Sequence, residues 1–198
     1  MKLSLLERLF ILNPIRPLIQ RHLEARQLQK LGGLLQGGKA LEIGCGPGSG
    51  VGLILDVFGA TAVHAFDLDH KMVDRARRRQ GRRTAPVRFW TGNARRIPVP
   101  DATYDAVFNF GALHHVVDWR SALAEVRRVL KPGGRFYCEE ILAHYITHPF
   151  WGRLMTHPQT DRFDGVGFVA ALKQKGFKVR EVREMADLYI WVIADNPQ

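Results

Sequence analysis

Four glycines recur at every second position in the stretch LEIGCGPGSG: Gly44, Gly46, Gly48 and Gly50. Glycine in ordered backbone is entropically costly, so such a cluster marks a sharp turn or a close approach to something bound. The turn follows the apolar run KALEI and precedes a helical pattern. Its free backbone N–H groups therefore suit a phosphate, or the carboxylate of a bound amino-acid moiety. Asp67 ends the next apolar run, where a carboxylate can accept from two adjacent ribose hydroxyls. His114 and His115 follow a fourth apolar run and titrate near neutral pH, so either can take a proton from a phenol or carbon acid. Purely structural roles compete: Asp67 as a helix cap beside Asp69 and His70, and the histidines as a cap near Asp118 or packing under a lid.

The glycine spacing narrows the ligand. A dinucleotide fingerprint requires Gly-x-Gly-x-x-Gly, and Ser49 stands where its third glycine belongs. No Gly-Lys-Ser/Thr follows, which excludes a phosphate-binding loop of the triphosphatase kind. His144, His148 and His157 lie in an irregular stretch, but no acid or cysteine completes a metal set and Pro149 undercuts a helix, so no metal is expected. That stretch, with Tyr145, Phe150, Trp151 and Met155, reads instead as the wall of an acceptor pocket.

Positioning these groups falls to alternating strands and helices. Strands are expected at KALEI (39–43), AVHAFDLD, VRFWTGNA, YDAVFNFGAL, RFYCEEIL, KVREVREM and LYIWVIAD. Between them run helical patterns: GVGLILDVFG, the basic stretch beyond Asp69, WRSALAEVRRVLKPGG stopped by Pro132-Gly133-Gly134, and VGFVAALKQKGF. Residues 3–35 read as helices broken near Pro14 and Pro17. The alternation predicts an α/β fold, a three-layer α/β/α Rossmann-like sheet of about seven mostly parallel strands. Only a few residues around Ala186 and Asp187 join the last two strands, too few for a parallel crossover, so the last strand is expected to run antiparallel. A single domain over 1–198 results: a helical cap (1–37), a cofactor-binding core (38–142), a lid or acceptor segment (143–165), and a closing helix and strand pair (166–198).

Composition fits a globular chain of 198 residues, 46% hydrophobic and 24% charged. Cys45 and Cys138 form no metal spacing or disulfide framework and point to a reducing, cytoplasmic setting. The N-terminal apolar stretch is interrupted by Glu7, Arg8, Pro14, Arg16 and Pro17, unlike a transmembrane helix. Residues 1–20 read as a cap on the domain, with peripheral contact to the inner face of a membrane as the alternative. The net charge is +10, and Lys71 to Arg83 holds seven basic residues against Asp74 alone. Such a run is a solvated helix face or a track for phosphates.

Four stretches carry a resemblance: LEIGCGPGSG, VHAFDLDHKMVDRAR, FWTGNARRIPVPDATYDAVFNFGALHHV and EVRRVLKPGGRFY. Together, over residues 38–142, they resemble the class I S-adenosylmethionine-dependent methyltransferases, nearest the small-molecule branch that includes the ubiquinone/menaquinone-biosynthesis C-methyltransferases. The resemblance implies that Glu42 and the backbone of Gly44, Cys45, Gly46 and Gly48 hold the methionine part of S-adenosylmethionine. It implies that Asp67 binds the ribose, that Leu68 and Met72 pack on the adenine, and that Asn93 and Ala94 address its amino group. Asn93 departs from the family's usual acid there, which alters that contact without abolishing its acceptor oxygen. Asn109, Phe110 and Gly111 would border the sulfonium and the transferred methyl. The implied reaction is an in-line displacement onto a small, apolar or aromatic acceptor, with His114 and His115 as candidate catalytic residues. Three alternatives remain open: an RNA methyltransferase using the 71–83 stretch, a nicotinamide-dependent oxidoreductase, and a cofactor-binding protein that no longer catalyses.

Overall fold

The computed structural model describes residues 13, 15–81, 83–146 and 161–198. Residues 1–12 and 147–160, with His148, Phe150, Trp151, Met155 and His157, lie outside the described residues. Seven strands form one sheet: β1 (Lys39–Ile43), β2 (Ala62–Asp67), β3 (Val87–Thr91), β4 (Tyr104–Phe110), β5 (Leu130–Ile141), β6 (Lys178–Met185) and β7 (Tyr189–Asp195), in the order β3-β2-β1-β4-β5-β7-β6. The pairs β3/β2, β2/β1, β1/β4 and β4/β5 are parallel, while β7 runs antiparallel to both β5 and β6. The fold is the expected mostly parallel sheet with an antiparallel last strand. The β6–β7 connection turns at Ala186 and Asp187, both left-handed with φ of 50° and 55°.

Helices α1 (Ala25–Gly32), α2 (Ser49–Asp56), α3 (His70–Gln80), α4 (Trp119–Val129) and α5 (Gly165–Gln174) flank the sheet. On one face Leu28 of α1, Val51 and Ile54 of α2 and Ala76 of α3 join one apolar cluster. On the other, Leu123 and Val126 of α4 join Phe168 and Leu172 of α5 in a second. Burial on both faces is why the strands read as near-continuous apolar runs. Aspartates start three of these helices: Asp69 accepts from Lys71 N, Asp118 from Ser121 N and Asp164 from Gly167 N. The caps of α3 and α4 are thus Asp69 and Asp118, which frees Asp67, His114 and His115 from that duty.

One boundary differs from the sequence reading. Helix α4 stops at Val129, ahead of Pro132, because Leu130 already pairs with Tyr104 in the sheet. Asn196 Nδ2 holds the carbonyls of Leu130 and Lys131 at 3.0 and 3.2 Å, keeping this entry extended. Pro17 itself lies in the first helical turn, Arg16–Ile19, where a missing N–H costs nothing, and the residues ahead of Asn13 lie outside the described residues. That turn leads through a π-turn at Gln20–Glu24 into α1. The C-terminal end of α1 is tied down by Arg135 Nη1 and Tyr137 Oη, which donate to the Gly32 carbonyl at 2.6 and 3.1 Å. Among the described residues, no helix is long and apolar enough to cross a membrane.

Sheet order reverses between β1 and β4, and there Ile43 pairs with Asn109. The turns after these two strands therefore lie side by side at the carboxyl edge, the usual ligand position in such sheets.

Candidate functional site

The glycine turn is held by its neighbours on β2. Cys45 N donates to Phe66 O at 2.9 Å, and Gly46 N donates to Oδ2 of Asp67 at 2.9 Å. The other Asp67 oxygen accepts from Asp69 N at 2.9 Å. One carboxylate thus ties the turn after β1 to the turn after β2. Burial pushes the Asp67 carboxyl above its ordinary range, and these backbone donors pull it back. Gly48 has φ of 85°, and a Cβ there would sit 2.8 Å from the Ala76 Cα. Its requirement is close packing of the turn on α3.

Glu42, on β1, is buried, and its Oε2 has no hydrogen-bond partner among the described residues. Burial raises its pKa well above the carboxylate range, and the nearby Asp67 charge raises it further; the Val51 N–H opposes both. A polar atom so placed is costly unless something supplies a donor or a positive charge.

These groups open onto a cavity of about 640 Å³, within the range of small-molecule sites. Glu42, Gly44, Cys45 and Gly46 line it from β1 and its turn, and Asp67 and Leu68 from the end of β2. Asn93 and Ala94 line it beyond β3, and Phe110, Gly111, His114 and His115 beyond β4. Gly48, Met72 and Asn109 are not part of the lining: Met72 and Asn109 are fully buried beneath it. Asn93 Oδ1 accepts from Arg95 N at 3.0 Å, which shapes its own turn and leaves a second lone pair. No described residue from Lys71 to Arg83 lines the cavity.

Four carboxylates face this space, Glu24, Glu42, Asp67 and Glu139, against one arginine, Arg95. Among the described lining residues the sign is thus the reverse of the chain's net charge of +10. The lining also has an apolar part: Val116 and Val117 beyond β4, Ile141 at the end of β5, Tyr145, and Tyr189 on β7. The Tyr145 and Tyr189 rings stand 5.9 Å apart.

Sequence reasoning missed several contributors. Gln20 and Glu24 reach the cavity from the π-turn, and Ser49 Oγ donates to Gln20 Oε1 at 2.7 Å. Such a turn leaves no sequence signature beyond an uncommon register of polar residues. Glu140 is fully buried and lies 2.7 Å from Nδ1 of His114. Asn109 donates to it at 2.7 Å and to Glu139 O at 2.9 Å, and accepts from Ala112 N at 3.2 Å. The His114 carbonyl receives the Arg162 guanidinium, and the two imidazoles lie 4.1 Å apart.

Residues 41–138 match the family model described as a methyltransferase domain. The chain carries an S-adenosylmethionine-dependent methyltransferase domain. Its relatives include the fatty-acid O-methyltransferase of Mycolicibacterium smegmatis, 33% identical over 61% of this chain and 43% of that protein. A ubiquinone/menaquinone biosynthesis C-methyltransferase of Caulobacter vibrioides is 44% identical over 42% of this chain and 29% of its own length. The chain thus spans less than half the length of either relative. The fold matches a SAM-dependent methyltransferase structure from Aquifex aeolicus with a TM-score of 0.77 at 21% identity, covering 98% of this chain and 99% of that one. The residues present fit the domain's cationic methyl donor: the described lining is rich in acids, and Glu42 Oε2 is buried with no hydrogen-bond partner among the described residues.

Proposed function

We propose that this chain transfers a methyl group from S-adenosylmethionine to a small apolar or aromatic acceptor. The observation that carries this reading is the reversal of charge in the cavity. A dinucleotide brings an anionic pyrophosphate, which an acid-rich lining disfavours; a ligand bearing sulfonium and ammonium charges is drawn in and favours the ionised form of Glu42. Glu42 and the turn from Gly44 to Gly46 hold the methionine part, Asp67 the ribose hydroxyls, and Leu68, Asn93 and Ala94 the adenine. Phe110 and Gly111 border the reacting centre. When bound, the cofactor supplies an electrophilic methyl group on a positively charged sulfur. The chain's own work is alignment and exclusion of water, for which a partly enclosed cavity with preset backbone turns is suited.

The apolar part of the lining supports the acceptor class, and so do relatives named for fatty acids and quinones. Tyr145 belongs to the 143–165 segment, which we assign to the acceptor side. The basic helix face stands apart from the cavity, and part of it is internally engaged: Arg77 pairs with Asp74, and Arg83 with Asp56 through two contacts of 2.7 and 2.9 Å.

Calorimetric titration with S-adenosylmethionine and with NAD tests the reading. Binding of the first alone is expected, weakened by about 1–3 kcal/mol in Asp67→Ala through the lost hydroxyl contacts. Binding of NAD alone, or an unchanged affinity in the variant, overturns it.

A further inference from the structure

The Glu140 carboxylate is the hub of a buried network that the binding of a methyl donor does not employ. Its Oε1 accepts from Asn109 Nδ2 at 2.7 Å and Leu113 N at 2.6 Å. Its Oε2 accepts from Ile141 N at 3.2 Å and faces His114 Nδ1 at 2.7 Å. The Asn109 amide cannot be turned round, because Ala112 N needs its oxygen and Glu139 O needs its nitrogen. Three of the four groups around Glu140 are therefore obligate donors. A carboxylate so surrounded acts as an ionised acceptor, and it calls for a hydrogen on His114 Nδ1 as its fourth partner.

We propose that Glu140 is a positioning residue that fixes His114 as a proton acceptor for methyl transfer. The chemistry rests on the methyltransferase reading above; the geometry does not. With Nδ1–H held by Glu140, the proton that comes and goes is carried by Nε2, on a side chain that lines the cavity beside Gly111. The ring is fixed at its backbone too, since Leu113 N is bound by Glu140 and the His114 carbonyl by Arg162. In the step itself the new bond joins the acceptor atom to the methyl carbon. The sulfur–carbon bond breaks with its electron pair left on sulfur, and the acceptor's proton ends on Nε2 before passing to solvent. Among the described residues, the charged and titratable groups around the ring include Glu140 and Glu139 from β5, Arg162 from the segment ahead of α5, and His115 on its own turn.

Glu140→Gln gives a sharp test. The Oε1 position must stay an oxygen, because two donors point at it, so the new amide nitrogen takes the Oε2 position and donates to His114 Nδ1. The same fold then carries the opposite tautomer, with hydrogen on Nε2. Nitrogen-15 spectra of histidine-labelled protein read this directly. The native protein is expected to show neutral His114 protonated at Nδ1, and the variant at Nε2. A native ring protonated at Nε2 overturns the proposal even if the variant does not fold, as does a variant with an unchanged tautomer. With a panel of phenols and quinols as acceptors, whose hydroxyl must lose its proton, kcat is expected to fall ~10²–10⁴-fold in the variant and to lose its acidic limb. The KM for S-adenosylmethionine should stay within about twofold of native by the same reasoning, since no cofactor contact changes. A pH profile identical to native overturns the role. If S-adenosylmethionine fails to bind, the methyltransferase reading falls while the tautomer assignment stands.

Discussion

The carboxylate of Glu42 occupies the space that a side chain on Gly50 would need. A Cβ on Gly50 would overlap Oε1, lie 2.7 Å from Cδ and come within 2.9 Å of Phe110. The first turn of α2 therefore approaches β1 closely only because position 50 is bare, and that approach keeps the carboxylate dry. Folding raises the pKa of Glu42, so the folded chain retains its proton to higher pH than the unfolded chain. The sign follows: this group favours folding at acid pH, and that contribution is lost as pH rises from the ordinary carboxylate range.

Glu42→Gln should accordingly raise the melting temperature of the ligand-free protein at neutral pH and weaken S-adenosylmethionine binding. The loss expected for a hydrogen bond to a charged group is about 1.5–3 kcal/mol. Calorimetry and thermal melts on the same samples check both halves, and a variant that gains neither stability nor a binding defect refutes the assignment.

Gly50→Ala and Gly52→Ala are predicted to move stability in opposite directions, although they lie two residues apart on α2. The first overpacks Glu42 and should cost about 1–3 kcal/mol. At Gly52 the nearest atom to a new Cβ is the tip of Arg83, at 3.3 Å, which can swing aside. Alanine there should stabilise by about 0.4–1 kcal/mol through the unfolded chain. Chemical denaturation of the pair is the measurement.

Acid sensitivity should trace partly to His64, which lies 2.9 Å from the Tyr104 hydroxyl. Burial, then the charges of Lys39 and Arg88, lower its pKa to about 4. Between the ordinary histidine value and about 4 the unfolded chain binds the extra proton, so stability falls as pH drops through that window. His64→Gln keeps an acceptor for Tyr104 and removes the titration, and its stability should be flatter over the same range. A slope equal to that of the native chain would place the acid sensitivity elsewhere.

Neither cysteine should react in the native state. Burial pushes the Cys45 thiol far up, with the Glu42 and Asp67 charges adding to it, and Cys138 is raised by burial and by Glu140. Mass spectrometry after iodoacetamide at pH 8 should find both unmodified, and both alkylated in guanidinium. Rapid labelling of native Cys45 would mean that the glycine turn opens.

The fold was legible wherever one segment's own pattern decided its state. The runs at Lys39–Ile43 and Lys178–Met185 read as strands with the boundaries observed, because glycine or a tight turn brackets each. Misread points depend on partners far away in sequence. Leu130 leaves the helical pattern to pair with Tyr104, and Asn196 enforces it. That the glycine turn and Asp67 lie together at one cavity was legible, since each sits at the end of a strand that its own pattern announces. Glu140 was not, because an acid inside an apolar strand acquires its meaning only from Asn109, Leu113 and His114, which arrive from β4 and the turn beyond it.

The hairpin of β6 and β7 brings Tyr189 into the cavity wall, whereas the glycine turn and Asp67 come from β1 and β2, several strands away in the sheet. On the acceptor assignment proposed above, substitutions in that hairpin would retune which molecules are welcomed while leaving the glycine turn and Asp67 in place. A change at one of these places then need not be felt at the other.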